Sequence, residues 1–380
     1  MSMKFKFNKK ILAAAVLNLL SLAGFIAFVL AGSSIAFSQS YNYAFERWEG
    51  EDSDDDYAQV SCFMSASAGF TVDSVGSIRA GLLNSLKDIS IVPEDGKKLC
   101  PDAYSASVGK AAVRGNILGR SDAQITAVGG DFFMIRNFRL LDGSFFSDDD
   151  IMQDGAVIDK NLAWAIYGSY DVSGMDITIN GTQFYISGVI DVPETKAERK
   201  CSGELPRAYI SYDGASGFAS DNSGSGGMSS GMPNGDDSVR NSFKTVTCYE
   251  VIMPDPVQDY ALTSVKSAVE VYGDMISIVQ NSGRFGAFKR LGSLKRISSL
   301  VIRDNEVSFP YWENASRITE VKLSFIYLGA ALCLVIPAVT ILFFIVKGFK
   351  CFKKNKSRIF DYVKRLFIDL KSKRSKEKRE

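Results

Sequence analysis

The sequence contains no histidine. That excludes Ser-His-Asp and Cys-His catalysis, imidazole metal sites and imidazole pH switches. There is no Gly-x-x-x-x-Gly-Lys-Ser/Thr loop, so nothing in the chain is built to cradle the phosphates of ATP. Cysteine is scarce and dispersed, at Cys62, Cys100, Cys201, Cys248, Cys333 and Cys351, with no Cys-x-x-Cys pair. Without close spacing and without histidine, a structural zinc site is not expected. Carboxylates and Ser-Lys pairs are the acid–base groups that remain, and no spacing marks any of them as catalytic. The reading is a chain that is not an enzyme and carries no cofactor and no metal.

Charge is missing altogether from residues 11–37 and from residues 323–346. Each run exceeds the roughly 20 residues that cross a bilayer as a helix. The first is longer than the usual signal-peptide core of about 7–15 residues. An uncleaved anchor is therefore preferred to a cleaved signal, although Ala36 and Ser38 are small residues near a cut. Pro337 in the second run is tolerated in a membrane helix. Neither run holds an Asp, Glu, Lys or Arg, so no ion or proton path through them is indicated.

The near-zero net charge conceals an asymmetry. Of 44 basic and 43 acidic residues, Lys4, Lys6, Lys9 and Lys10 precede the first run, and 14 basic and four acidic residues follow the second. This leaves 26 basic and 39 acidic residues between the runs, a net of −13. Basic flanks stay in the cytoplasm. The expected topology is a two-pass protein of the plasma membrane with residues 1–10 and 347–380 inside and residues 38–322 outside. The outer segment holds Cys62, Cys100, Cys201 and Cys248. In an oxidising compartment four cysteines predict two disulfides, with all three connectivities open and buried free thiols as the alternative.

Along the outer segment, residues 46–56 are acidic and read as a solvated linker. As a calcium loop the stretch lacks the placed glycine and the distal Glu. Residues 57–68 read as a strand. Thr71 or Asp73 opens a helix with Val75, Ile78, Leu82, Leu83 and Leu86 on one face. Residues 103–113 and 122–128 read as extended, 131–138 as helical and 141–143 as a turn. A short strand (156–158) and a helix (160–166) closing at Gly168 follow. Asn180-Gly181 between the alternating stretches 175–179 and 183–190 predicts a hairpin. Residues 214–237 are Gly- and Ser-rich and read as a flexible loop. Residues 246–253 return as a strand. Pro256 leads into a helix with Tyr260, Leu262, Val265, Val269 and Val271–Tyr272, and residues 300–302 are a candidate last strand. Trp164 and Trp312 read as packing residues, with Tyr311 and Trp312 also suited to a membrane interface. Asn180 and Asn314 sit in glycosylation sequons, and both read as structural.

The middle stretch resembles a known family. The segments ITAVGGDFFMIRNFRLLDGSFFSDDD and GAVIDKNLAWAIYGSYDVSGMDITINGTQFYISGVIDVPE are similar to the periplasmic core domain of MacB-type ABC transporter permeases, the FtsX/MacB group. The order of features carries the likeness: Phe132 and Phe133, a Leu-x-Gly-x-Phe-Phe step at Leu141 to Phe146, acidic residues Asp148 to Asp150, Tyr167-Gly168, Gly174, and a hairpin ending in Gly-Val-Ile-Asp. PYWENASRITE (Pro310 to Glu320) also looks like shorter proteins of this group. The resemblance implies an α+β domain between two membrane helices. It has a porter-like lobe of strand–helix–strand units and a β-rich lobe inserted at about 115–240. Arg207, Tyr209 and Tyr212 would lie near the junction. It further implies mechanotransmission: an ABC ATPase moves the membrane helices, and these work the outer domain. A full permease of this type has four such helices and a coupling element, whereas this sequence shows two. An accessory subunit, half of a permease, or a stand-alone surface binding or scaffold module are the readings that follow, with permease subunits or a second copy as partners.

Residues 357–370 carry Ile359, Phe360, Val363, Leu366, Phe367 and Leu370 at helical spacing, with Lys364 and Arg365 off that stripe. Six basic residues follow between Lys371 and Arg379. Such a helix suits the anionic inner leaflet, where each base contributes about 1 kcal/mol near the surface. Docking on an ATPase and a plain stop-transfer tail are the other readings. Nucleic acid is not an expected partner, because the tail is short and lacks a stacking platform.

Overall fold

The computed structural model describes residues 9–49, 56–93, 98–116, 119–192, 195–212, 214–217, 245–297 and 306–376. Two units emerge, one of residues 34–324 and one of residues 1–33 with 325–380. The first is a mixed α/β domain, and the two apolar helices flank it in the chain.

Ten strands make one sheet among the described residues. They are β1 (Tyr57–Met64), β2 (Asp102–Gly115), β3 (Arg120–Gly130), β4 (Arg139–Gly143), β5 (Gly155–Asp159), β6 (Asp176–Ile179), β7 (Thr182–Asp191), β8 (Arg207–Ser211), β9 (Cys248–Pro254) and β10 (Ile276–Gln280). The order is β10-β1-β9-β2-β3-β8-β5-β7-β4, with β6 pairing β2 and β7. Strands β3 to β8 fall within the expected insertion, and they continue the sheet that β1, β9 and β10 begin. The β3–β8 and β5–β7 pairs are parallel, and the other pairs are antiparallel.

The helices are α1 (Lys9–Phe37), α2 (Ala44–Glu49), α3 (Val72–Asp88), α4 (Phe132–Ile135), α5 (Lys160–Tyr167), α6 (Lys196–Cys201), α7 (Tyr260–Ala268), α8 (Ala287–Gly292) and α9 (Tyr311–Lys376). Two apolar clusters sandwich the sheet. One gathers α3, α5 and α7 with Cys62, Tyr249 and their neighbours. The other gathers α2, α4 and the start of α9 with Phe63 and Cys248. The register explains the split, because Cys62 lies opposite Tyr249 and Phe63 opposite Cys248. Partners directly opposite share a face and successive residues alternate.

Local chemistry sets the element ends. Thr71 caps α3 in a reciprocal box with Ser74, and Val75, Ile78, Leu82 and Leu86 are the buried stripe. Leu83 is 42% exposed, at the edge of that stripe. Asp159 uses both carboxylate oxygens: Oδ1 accepts from Leu162 N at 2.8 Å, starting α5, and Oδ2 accepts from Arg207 N at 2.9 Å, tying β8 to β5. Gly168 closes α5 in the left-handed region (φ 66°), as the sequence predicts. Asn180 and Gly181 both have positive φ and turn β6 into β7, the conformation of a type I′ hairpin.

The stretch 141–143 is not a turn. It is the end of β4, bulged between Leu140 and Asp142 where it pairs with β7. The predicted helix over 131–138 is a single turn, α4, because the chain must swing Phe132, Phe133 and Ile135 into the core within four residues. The last described strand is β10, half-buried along its whole length, which gives it no alternation to read. Residues 300–302 lie outside the described residues, as do residues 50–55 of the acidic stretch and 218–237 of the Gly-Ser stretch. Trp164 is 59% exposed and rests against Tyr170 at 5.5 Å, so it is a surface residue of α5.

Gly143 has φ +74°, and a Cβ there would stand against the Ser187 carbonyl. Gly143→Ala therefore combines backbone strain of about 1–3 kcal/mol with a backbone clash, and a lower melting temperature of the full chain in detergent is expected. Next to it, Asp142 Oδ2 accepts from Val172 N at 2.9 Å and Ser173 N at 2.8 Å. The Ser173 amide is the main cause that holds the carboxyl below its ordinary range; burial opposes it, and Val172 and Gly143 amides add to it. A depressed carboxylate stabilises above its unfolded pKa, near 3.9, and loses that contribution as pH falls through the lower folded value. Asp142→Asn should therefore lower the melting temperature at pH 7, and the gap to wild type should close as the pH falls below the ordinary carboxylate range.

In the membrane unit, small residues let the two apolar helices approach. A Cβ on Gly24 would meet Cys333 Sγ at 3.3 Å, and one on Gly329 would meet the Phe28 ring at 3.0 Å. Asn18 Nδ2 donates to Thr340 Oγ1 at 3.1 Å, and Ser21 Oγ donates to the Cys333 carbonyl.

Candidate functional site

The feature that stands out in the domain is a buried polar chain at the foot of α9. Arg284 follows β10 after a short turn and is 2% exposed. Its guanidinium grips Glu313 with two parallel bonds, Nη2 to Oε1 at 2.7 Å and Nη1 to Oε2 at 2.8 Å. Nε donates to Glu320 Oε1. The other oxygen of Glu320 pairs with Arg290 Nη1 at 2.5 Å, and Arg317 Nε reaches Glu313 at 3.1 Å. Glu313, Arg317 and Glu320 recur at i, i+4 and i+7, which places all three on one face of α9. Burial pulls the Arg284 guanidinium down, but the two carboxylates and their hydrogen bonds outweigh it, so its pKa stands above the ordinary arginine value.

The chain of bonds continues into the sheet. Arg284 Nη1 donates to Asn281 Oδ1 at 3.1 Å and to Asn42 Oδ1 at 3.3 Å. Asn281 Nδ2 donates to Ser61 Oγ at 2.8 Å, and Ser61 Oγ donates to Glu250 Oε1 at 2.8 Å. Glu250 in turn pairs with Arg136. Asn42, at the exit of α1, donates to Ser316 Oγ on α9 at 2.9 Å. One continuous polar line thus joins β9, β1, β10 and α9.

Aromatic rings hold the same helix from the other half of the sheet. The Arg136 guanidinium lies 4.3 Å from the Trp312 ring centre, and Arg207 lies 4.2 Å from Tyr311. Arg317 stacks 3.7 Å over Phe309, just before the helix. Such cation–ring contacts contribute about 2 kcal/mol when desolvated. Trp312 is buried, as expected of a packing residue. Arg207 and Tyr209 lie on β8, as read from sequence, and the Tyr209 and Tyr311 hydroxyls are 3.4 Å apart. In the family-like motif, Asp148 Oδ2 accepts from Gly130 N at 2.7 Å and Tyr104 OH at 3.2 Å, so this acidic step fastens a loop.

The candidate disulfides are not formed. Cys62, Cys100, Cys201 and Cys248 are free thiols. Cys62 and Cys248 sit on paired strands but one register step apart, so they point to opposite faces and cannot bridge. Burial pushes both thiols up, Cys248 to about 12, and Cys100 also to about 12 through burial first and Asp102 second. Ile359, Phe360, Val363, Leu366, Phe367 and Leu370 fall within α9, and their side chains lie outside the described residues. Among the described residues no group of His, Cys, Asp and Glu could hold a metal.

Sequence reasoning did not single out Arg284, Arg290, Glu313, Glu320, Arg136 or Glu250. The signal for two of them was present: Glu313 and Glu320, with Arg317, share a helical face immediately before an apolar run.

No curated protein matches the chain. Solved structures similar to it include three domains of transporter or permease proteins. The extracellular domain of the noncanonic ABC-type transporter YknZ from Gram-positive bacteria has a TM-score of 0.38 at 13% identity, covering 58% of this chain and 99% of that one. The periplasmic region of MacB from Actinobacillus actinomycetemcomitans has 0.37 at 16%, covering 59% and 89%. A domain of a putative permease protein from Porphyromonas gingivalis has 0.33 at 14%, covering 60% and 89%. The family model of the MacB-like periplasmic core domain matches residues 21–240. With more than half its length matched, the chain belongs to the MacB-like periplasmic core domain family.

Proposed function

We propose that the protein is a non-catalytic subunit of an ABC-type assembly, working with a separate ATPase in export or mechanotransmission. The observation that carries this reading is α9 itself. It runs unbroken from Tyr311 to Lys376. Its first turns are held to both halves of the sheet by Arg284, Arg136 and Arg207. A displacement of such a helix is resisted by buried ion pairs, not by loose loops, so motion in the bilayer reaches the sheet. In this reading both termini are cytoplasmic, residues 38–322 lie outside, and the basic end of α9 meets the inner leaflet or the ATPase. A second copy or a separate permease supplies further membrane helices. A second reading is a surface binding or scaffold module derived from a permease domain.

A mild-detergent pull-down of the full chain, with and without residues 357–380, separates these. An ABC ATPase that copurifies and is lost on deletion is the expected result, and it assigns coupling to the tail. An ATPase retained without the tail moves the coupling to the membrane helices or to a second permease. No ATPase in either sample overturns the transport reading and leaves the scaffold.

A further inference from the structure

Beside the polar chain the domain opens into a cleft of ≈ 790 Å³. Five cations line it, Lys266, Arg284, Lys289, Arg290 and Arg317, against the carboxylates Asp259, Glu313 and Glu320. That is a local excess of positive charge in a segment whose net charge is −13. Glu313 and Glu320 are committed to Arg284, Arg290 and Arg317. Lys266 and Lys289 form no ion pair among the described residues. Arg290 is 5% exposed, and its Nε has no hydrogen-bond partner among the described residues. A buried guanidinium donor without an acceptor is unfavourable until one is supplied. Burial, and then the neighbouring Arg290, pull the Lys289 ammonium below its ordinary pKa, as expected where cations crowd. The cleft is therefore prepared for an anion.

The class of anion follows from where the cleft lies along α9. Helix α8 is fixed to α9 at the turn where that helix loses its charges. Arg290 pairs with Glu320, and Ser324 Oγ donates to the Arg290 carbonyl at 3.4 Å. The uncharged run starts at residue 323. Arg290 thus lies beside the residues where that run begins, which the two-pass topology proposed above, on which this inference rests, sets at headgroup level. Between Arg290 and the start of α8, Phe288 is 93% exposed. A large ring left uncovered beside basic residues at that level is the pattern of an interfacial anchor. The remaining lining is apolar in part, from Leu262, Ile278 and Val279.

We propose that this cleft binds the phosphate-bearing headgroup of an anionic phospholipid in the outer leaflet, with Phe288 seated among the acyl chains. The test uses the full chain in nanodiscs of phosphatidylcholine and phosphatidylglycerol, with Phe288→Trp as a reporter against the wild-type background. Either lipid carries bromine near the glycerol at equal mole fraction. Brominated phosphatidylglycerol is expected to quench the added Trp about twofold more than brominated phosphatidylcholine, given the enrichment of anionic lipid around clustered bases. Lys266→Glu with Lys289→Glu should abolish the preference, and the neutral pair Lys266→Gln with Lys289→Gln should reduce it. The attraction of the basic tail for anionic lipid is common to all samples. Equal quenching by both lipids overturns the proposal, as does a preference that survives both double substitutions. Loss of the preference on adding millimolar inorganic phosphate reassigns the cleft to a soluble anion and overturns the lipid.

Discussion

Arg284→Met is expected to destabilise the outer domain by about 3–5 kcal/mol, a large share of the roughly 5–15 kcal/mol that holds a domain together. The substitution keeps the volume and the apolar stem of the side chain. It removes the cation that both Glu313 and Glu320 face, and it leaves those carboxylates 2% and 4% exposed. Glu320 keeps Arg290, and Glu313 keeps only Arg317, whose side chain is 18% exposed. The cost is therefore that of an orphaned buried charge rather than of a lost attraction. A double variant, Arg284→Met with Glu313→Leu, distinguishes the two. Removing both charges together should recover much of the loss, since apolar replacements of buried pairs are often neutral or stabilising. Thermal melting of the full chain in detergent, followed by tryptophan emission, gives the comparison. A double variant as unstable as the single one would mean that the pair holds the fold by its attraction.

Phe132→Ala is the second large effect, at about 3–5 kcal/mol for a buried phenyl ring. Phe132 is 1% exposed, and its ring meets Phe133, Phe138, Tyr209 and Trp312 at centroid distances of 5.5, 6.2, 5.7 and 6.1 Å. The Arg136 guanidinium lies 5.6 Å from the same ring. The position cannot collapse, because its neighbours come from α4, the link from α4 to β4, β8 and α9, which are fixed independently by hydrogen bonds. Phe132→Leu keeps most of the volume and should cost well under half as much. Equal losses for Ala and Leu would point to ring stacking rather than to filled space.

What the sequence disclosed depended on range. The α3 stripe, the Asn180-Gly181 hairpin and the Gly168 stop rest on residues close in the chain, and each was readable there. The order of motifs between Phe132 and Asp191 was enough to point to the family. Strand β10 was missed because an edge strand half-buried on both faces has no period. The 141–143 stretch was misread because Leu-Asp-Gly is turn-like locally, while pairing with β7 keeps it extended. The polar chain was the least legible. Arg284 and Glu313 are 29 residues apart, and Ser61 and Glu250 are 189 apart. Only the closed sheet brings them together. The cysteines failed in a similar way, since adjacency of two strands says nothing about which face each thiol takes.

Those thiols lend the fold a property of practical use. Cys62 is held in one apolar layer and Cys248 in the other, with the same strand pair between them. Among the described residues no disulfide ties the layers, so a reductant should leave the melting curve where it is. Each sulfur also becomes a clock for its own layer. The rate at which an alkylating reagent reaches Cys62 times the opening of the side that holds α3, α5 and α7. The rate at Cys248 times the opening of the side that holds α9.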